Sequence, residues 1–153
     1  MVEINRILYP SDFSGCSLQV LPYVRSVAAK YGAEIYLLYV ARNLHVYISG
    51  RKQHRSDSTL IEKTLKELEM LMDKFCHKHL LDCPKFRRRV AVGDPGEEIV
   101  KAVEKENIDL VVMGTHGRRG LEHTFFGTVA KYVVMHSKAP VLVVNPYRVE
   151  GEE

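Results

Sequence analysis

Asp109-Leu110-Val111-Val112-Met113-Gly114 and Val141-Leu142-Val143-Val144 are the stretches on which the fold turns. Leu110–Met113 and Val141–Val144 are apolar at every position rather than at alternate ones. A strand with one wet face alternates, whereas a strand covered on both faces does not. Such runs belong to a parallel sheet with helices above and below it. Working outward, the chain supplies those helices. Thr128–Ser137 reads as one, between the two runs. Ahead of Asp109, Gly93-Asp94-Pro95-Gly96-Glu97 is a turn entering another: Asp94 caps, Pro95 takes the first helical position and Glu97 completes a capping box. Ile99, Val100 and Val103 give that helix its apolar face, and it should end near Asn107.

Farther back, Lys85–Val92 reads as a strand. Thr59-x-x-Glu62 reads as the capping box of a long helix. Its apolar stripe is Ile61, Leu65, Leu68, Met72, Phe75 and His79, and it should end near Leu81. Residues 41–56 are polar and basic, so a surface loop is expected. Glu34–Val40 and Ile4–Tyr9 read as strands, the second ending at Pro10-Ser11-Asp12. Between them Ser14 caps a helix over Gly15–Tyr31, and Gly32 stops it. Pro22 lies inside that span, which predicts a kink or a lost backbone bond. The alternation βαβαβαβαβ, with right-handed crossovers, gives a doubly wound five-stranded parallel sheet with helices on both faces. The expectation is a single domain over 1–153.

Composition agrees with a globular chain. Of the 153 residues, 46% are hydrophobic and 27% charged, which is neither disordered nor membranous. A net charge of +3 is too small to argue for nucleic acid or a membrane surface. The opening MVEINRILYPSD holds no long apolar run, so no signal peptide is expected, and no run is long enough to span a bilayer. Cys16, Cys76 and Cys83 form no disulfide framework, which suits a reducing compartment. A soluble cytoplasmic protein is the expectation.

Open parallel sheets bind ligands at the carboxyl ends of their strands, where the strand order reverses. Two loops at such ends stand out: Pro10-Ser11-Asp12, and the stretch from Gly114 to Gly127-Thr128. The second is longer than most strand-to-helix connections, which run to about 6 residues. Its glycines allow sharp turns and close approach to a ligand. Gly127-Thr128 opens a helix, so free amides and the positive dipole end would face an anion. Arg118 and Arg119 would supply charge for a polyphosphate. The expectation is that main-chain N–H groups near residues 114, 117 and 127 converge on that polyphosphate. Neither the Walker pattern nor GxGxxG is present.

Gly114-x2-Gly117-x9-Gly127-Thr128, set in DLVVMGTHGRRG and GTVAKYVV and followed by APVLVVNP, resembles the universal stress protein family in every spacing of its G-x2-G-x9-G-[S/T] motif. ILYPSDFSGCS is similar to that family's opening. The resemblance implies a Rossmann-like, adenine-nucleotide alpha-hydrolase-like sheet of order 3-2-1-4-5. It implies ATP as ligand, with Mg2+ or Mn2+. In the ATP-binding branch, Asp12 would sit beside the nucleoside, with Pro10 and Ser11 as its neighbours. Val40 would meet adenine through its backbone, Met113 and Gly114 the ribose, and Gly117, Gly127, Thr128 and Val129 the phosphates. His116 and Arg118 would be further contacts. Under this binding reading no residue is given a catalytic or metal-ligating role. Pro22 and the stretch Glu122-His123-Thr124-Phe125-Phe126 depart from the family's pattern, and Glu122 would weaken the local positive potential.

In that strand order Val141–Val144 form an apolar, uncharged edge. Such an edge invites pairing, and the family's habit implies a homodimer through it. The other edge carries Lys85, Arg87, Arg88 and Arg89, which discourage pairing and only weakly suggest nucleic acid. Cys76, His77, His79 and Cys83 match no standard zinc spacing. No nucleophile elbow is visible. The leading expectation is a regulatory stress-response module that changes conformation or protein-partner binding with ATP. A slow ATPase or self-phosphorylating protein and an ATP-independent adaptor remain as alternatives. His116 and His123 are the candidate bases for the enzyme alternative.

Overall fold

The computed structural model describes residues 1–42, 56–116 and 126–148. In chain order the elements are β1 (Arg6–Pro10), α1 (Gly15–Leu18), α2 (Leu21–Tyr31), β2 (Glu34–Ala41), α3 (Ser56–His79), β3 (Phe86–Val92), α4 (Pro95–Lys105), β4 (Leu110–Gly114), α5 (Thr128–His136) and β5 (Val141–Val144). The five strands form one sheet of order β3-β2-β1-β4-β5, and every neighbouring pair is parallel.

Side chains of β1 alternate between two cores, as a pleated strand requires. Ile7 and Tyr9 join Ile35, Leu37 and Val112 under α2 and α3, with Val20, Val24, Met72, Phe75 and Leu80. Leu8 joins Tyr36, Leu38, Val111 and Met113 on the opposite face, with Ile99 and Val103 of α4 and Ala130 and Val133 of α5. The sheet is therefore covered on both sides, which is why Leu110–Met113 carries no polar residue. Asp109 fastens the start of β4 to that of β1: its Oδ2 accepts from the N–H groups of Asn5 at 2.8 Å and Arg6 at 2.9 Å.

Two local expectations are corrected. The span Gly15–Tyr31 is two helices, not one. Ser14 caps α1 through the Ser17 N–H, and Pro22 sits in the first turn of α2, where its missing N–H costs no helical bond. Gly32, at φ +65°, ends α2 in the left-handed conformation. Thr59-x-x-Glu62 does not cap α3, because the helix already runs from Ser56. Most of the 41–56 loop, and all of residues 117–125, lie outside the described residues.

Two cations of the basic run on β3, Arg87 and Arg88, are neutralised within the fold. Arg87 holds Glu34 by two bonds of 2.8 and 2.9 Å, and Arg88 pairs with Glu69 and Asp73 of α3. A cationic surface for nucleic acid needs its charges turned outward and unmatched, and these two are matched. Cys76 packs inside the core beneath α3, and burial pushes its thiol pKa up.

Candidate functional site

β1 and β4 lie side by side, while their connections leave in opposite directions, to α1 and to α5. Their carboxyl ends therefore open a crevice that no crossover fills. The crevice is a cleft of about 530 Å³. Pro10, Ser11, Asp12, Val40, Met113, Gly114, His116, Gly127, Thr128 and Val129 all line it. The two other candidates, Gly117 and Arg118, lie outside the described residues.

The β1 side of the cleft is built by a chain of hydroxyls. The Tyr9 hydroxyl donates to the Ser17 carbonyl at 2.8 Å, and the Ser17 hydroxyl lies 2.5 Å from that of Ser11. Ser11 Oγ accepts from the Phe13 N–H at 3.1 Å. Burial is the main cause holding the Tyr9 phenol above its usual pKa, with the Ser17 hydrogen bond acting the other way. Asp12 Oδ1 accepts from both the N–H of Ser14 at 2.9 Å and its hydroxyl at 2.5 Å. One carboxylate oxygen thus fixes the turn from β1 into α1. Phe13 completes that turn at φ +61°, a region that bulky residues rarely enter. Its ring is held there by stacking on Tyr39, with centroids 4.9 Å apart and planes 6° apart, and by Phe75 at 5.1 Å.

The β4 side differs from expectation in one respect. The Gly127 N–H does not face the cleft unmatched; it donates to the Thr115 carbonyl at 2.7 Å. This bond fastens the start of α5 to the end of β4. The first helical bond then runs from Lys131 to the Gly127 carbonyl. The N–H groups of Thr128, Val129 and Ala130 precede it, and among the described residues they have no hydrogen-bond partner. Gly127 is the N-cap and offers no side chain to satisfy them. By contrast, Ser14 caps α1 and Asp94 caps α4 with side-chain oxygens. Three donors and the positive end of a helix dipole thus border the cleft.

Gly127 is needed for a closer contact than the one first expected. A Cβ there would lie 2.8 Å from the Thr115 carbonyl oxygen. At Gly114 it would lie 3.0 Å from the His116 carbonyl. His116 is buried, its Nδ1 is 2.8 Å from the Thr115 hydroxyl, and its ring meets Tyr147 edge-on at 5.3 Å. Its Nε2 has no partner among the described residues.

Sequence reasoning missed Arg42, Ser17, Thr115 and the α4 residues Pro95 and Ile99, all of which line the cleft. Pro95 and Ile99 were legible as a helix start and a core face, yet nothing in their spacing says that α4 reaches the cleft. Arg42 is the residue after β2, a position that the sheet topology brings beside β1.

The family model for the universal stress protein family matches residues 3–145. The chain belongs to the universal stress protein family. It is 31% identical to the universal stress protein MJ0577 of Methanocaldococcus jannaschii, over 94% of this chain and 96% of that one. It is 28% identical to the universal stress protein YxiE of Bacillus subtilis, over 92% and 99%. The solved structure of MJ0577 superposes with a TM-score of 0.82 at 32% identity, covering 98% of this chain and 100% of that chain. A universal stress protein solved in complex with cAMP has the same fold, with a TM-score of 0.61 at 20% identity over 94% of this chain and 98% of the other.

Proposed function

We propose that this universal stress protein binds ATP, with Mg2+ or Mn2+ on the phosphates, in the cleft between β1 and β4. The observation that carries the reading is the set of three unbonded amides at the start of α5. Thr128 is exposed, Val129 half-buried and Ala130 buried, and a phosphate supplies acceptors for the amides of all three. Thr128 adds a hydroxyl beside them, and Asp12 stands on the opposite wall. The ribose then lies over β1, near Asp12 and Met113, and the base lies toward the end of β2, near Val40. Gly117, Arg118 and His116 are further candidate contacts. The volume fits, since ligand clefts usually range over about 300–1,000 Å³. Universal stress proteins of the same fold solved with cAMP and dAMP are compatible with an adenine nucleotide here.

The biological consequence we propose is regulatory. ATP contacts both walls of the cleft, so it favours whichever conformation brings them together and changes what the protein presents to a protein partner. A homodimer through β5 and a cytoplasmic location belong to the same proposal. Among the described residues no helix is long and apolar enough to cross a membrane.

The test is to purify the protein, denature it, identify released nucleotide by chromatography, and follow added ATP for ADP. ATP retained with little turnover is expected. Turnover that Thr128→Ala abolishes while binding persists would make the protein a slow ATPase instead. No binding at millimolar ATP would leave an adaptor with an unused cleft.

A further inference from the structure

Among the described residues, two charged side chains line the cleft: Asp12 and Arg42. Arg42 is exposed and follows directly on β2. Arg6, Arg25, Arg87 and Arg88 each pair with a carboxylate, whereas Arg42 has no ion pair among the described residues. Its guanidinium is therefore available to a ligand.

Topology says which part of the ligand it meets. β2 and β4 flank β1 on opposite sides. Their backbones are two strand spacings apart, about 10 Å. The start of α5 is fastened to the β4 side through the bond from Gly127 to Thr115. Arg42 and the free amides of α5 thus stand on opposite sides of β1. A nucleotide with its phosphates on those amides and its ribose over β1 directs its base to the end of β2, against Val40 and Arg42.

We infer that Arg42 is a specificity-determining residue for the base of a purine nucleotide rather than a phosphate ligand. The inference rests on the nucleotide reading above. A guanidinium is planar, carries donors only and stacks on aromatic faces. It covers a purine better than the smaller pyrimidine, and it can donate to the ring nitrogens that purines carry. A lysine has the charge without the plane. Arg42 therefore contributes equally to a mono-, di- or triphosphate, because the group it recognises is common to all three.

The experiment is calorimetric titration of the full chain with AMP, ADP, ATP and CTP in the presence of Mg2+. The wild type is compared with Arg42→Gln and Arg42→Lys. Arg42 is exposed and unpaired among the described residues, so both variants should keep the wild-type melting temperature. Arg42→Gln should weaken AMP, ADP and ATP by one common factor, roughly five- to thirty-fold, as for a partly desolvated cation–aromatic contact. Its preference for ATP over CTP should narrow, and Arg42→Lys should behave like Arg42→Gln. A loss that grows from AMP to ATP, or full rescue by lysine, would make Arg42 a phosphate ligand and overturn the inference. Unchanged affinities would overturn it too, with the nucleotide reading intact. A wild type that binds none of the four nucleotides would overturn both.

Discussion

Gly127 meets two demands at once: it leaves the α5 amides without a side-chain cap, and it lets the helix start lie against the Thr115 carbonyl. Its φ of −70° is open to any residue, so the reason for glycine is space and not backbone conformation. Gly127→Ala forces a Cβ against that oxygen and should destabilise the protein by about 1–3 kcal/mol, the usual range for overpacking. Urea denaturation measures it; an unchanged midpoint would mean that the loop gives way freely. The glycine spacing was legible in the sequence, but the wall it packs against was not, because Thr115 carries no sign of its carbonyl's role. The same holds for the hydroxyl chain beneath Ser11. Tyr9 read as a strand residue, and nothing in its neighbours places Ser17 beneath it. Tyr9→Phe strips a buried hydrogen bond from the Ser17 carbonyl and should cost about 1–2 kcal/mol by the same measurement.

At the scale of elements, caps and stops were legible where the chemistry is local. Asp94 accepts from the Glu97 N–H at 3.1 Å, and Gly32 takes the left-handed turn. Asp94→Ala should cost about 1 kcal/mol, read as a lower thermal midpoint with the fold retained. Helix starts were less legible. Thr59-x-x-Glu62 has the residue types of a capping box, yet the helix already begins at Ser56, three residues earlier. The break between α1 and α2 lies just before Pro22, whose ring is disfavoured in a helix interior but suits a first turn. The edge strand β3 carries a pH-dependent element. The Arg87 hydrogen bond is the largest cause holding the Glu34 carboxyl below its usual pKa. A depressed carboxylate stabilises the fold above the unfolded-state value and loses that contribution as pH falls through the folded one. Arg87→Gln should therefore lower stability at neutral pH, and only slightly, because the pair is solvent-screened. The difference from wild type should vanish in acid, once Glu34 is protonated in both states. A difference that persists unchanged through the acid range would assign the effect to packing of the Arg87 stem.

Across the whole molecule, strand order and two-sided burial were legible because unbroken apolar runs, crossover handedness and the family's motif point to the same sheet. The cleft's full lining was less so. Arg42, Pro95 and Ile99 come from elements that meet only once the sheet is wound, and no spacing along the chain records that meeting. The β5 edge carries the proposed assembly. Leu142 is exposed on this outermost strand, and Val141 and Val143 are half-buried. Leu142→Lys should convert a dimer to a monomer in sedimentation experiments; a dimer that survives would move the interface elsewhere. The central claim is that phosphates seat on the amides of Thr128, Val129 and Ala130. Its most direct test is backbone amide NMR during titration with Mg2+-ATP. The resonances of these three residues should move together and saturate with one affinity, and adenosine should leave them nearly in place. Saturating ATP that leaves all three amides unmoved would contradict the assignment.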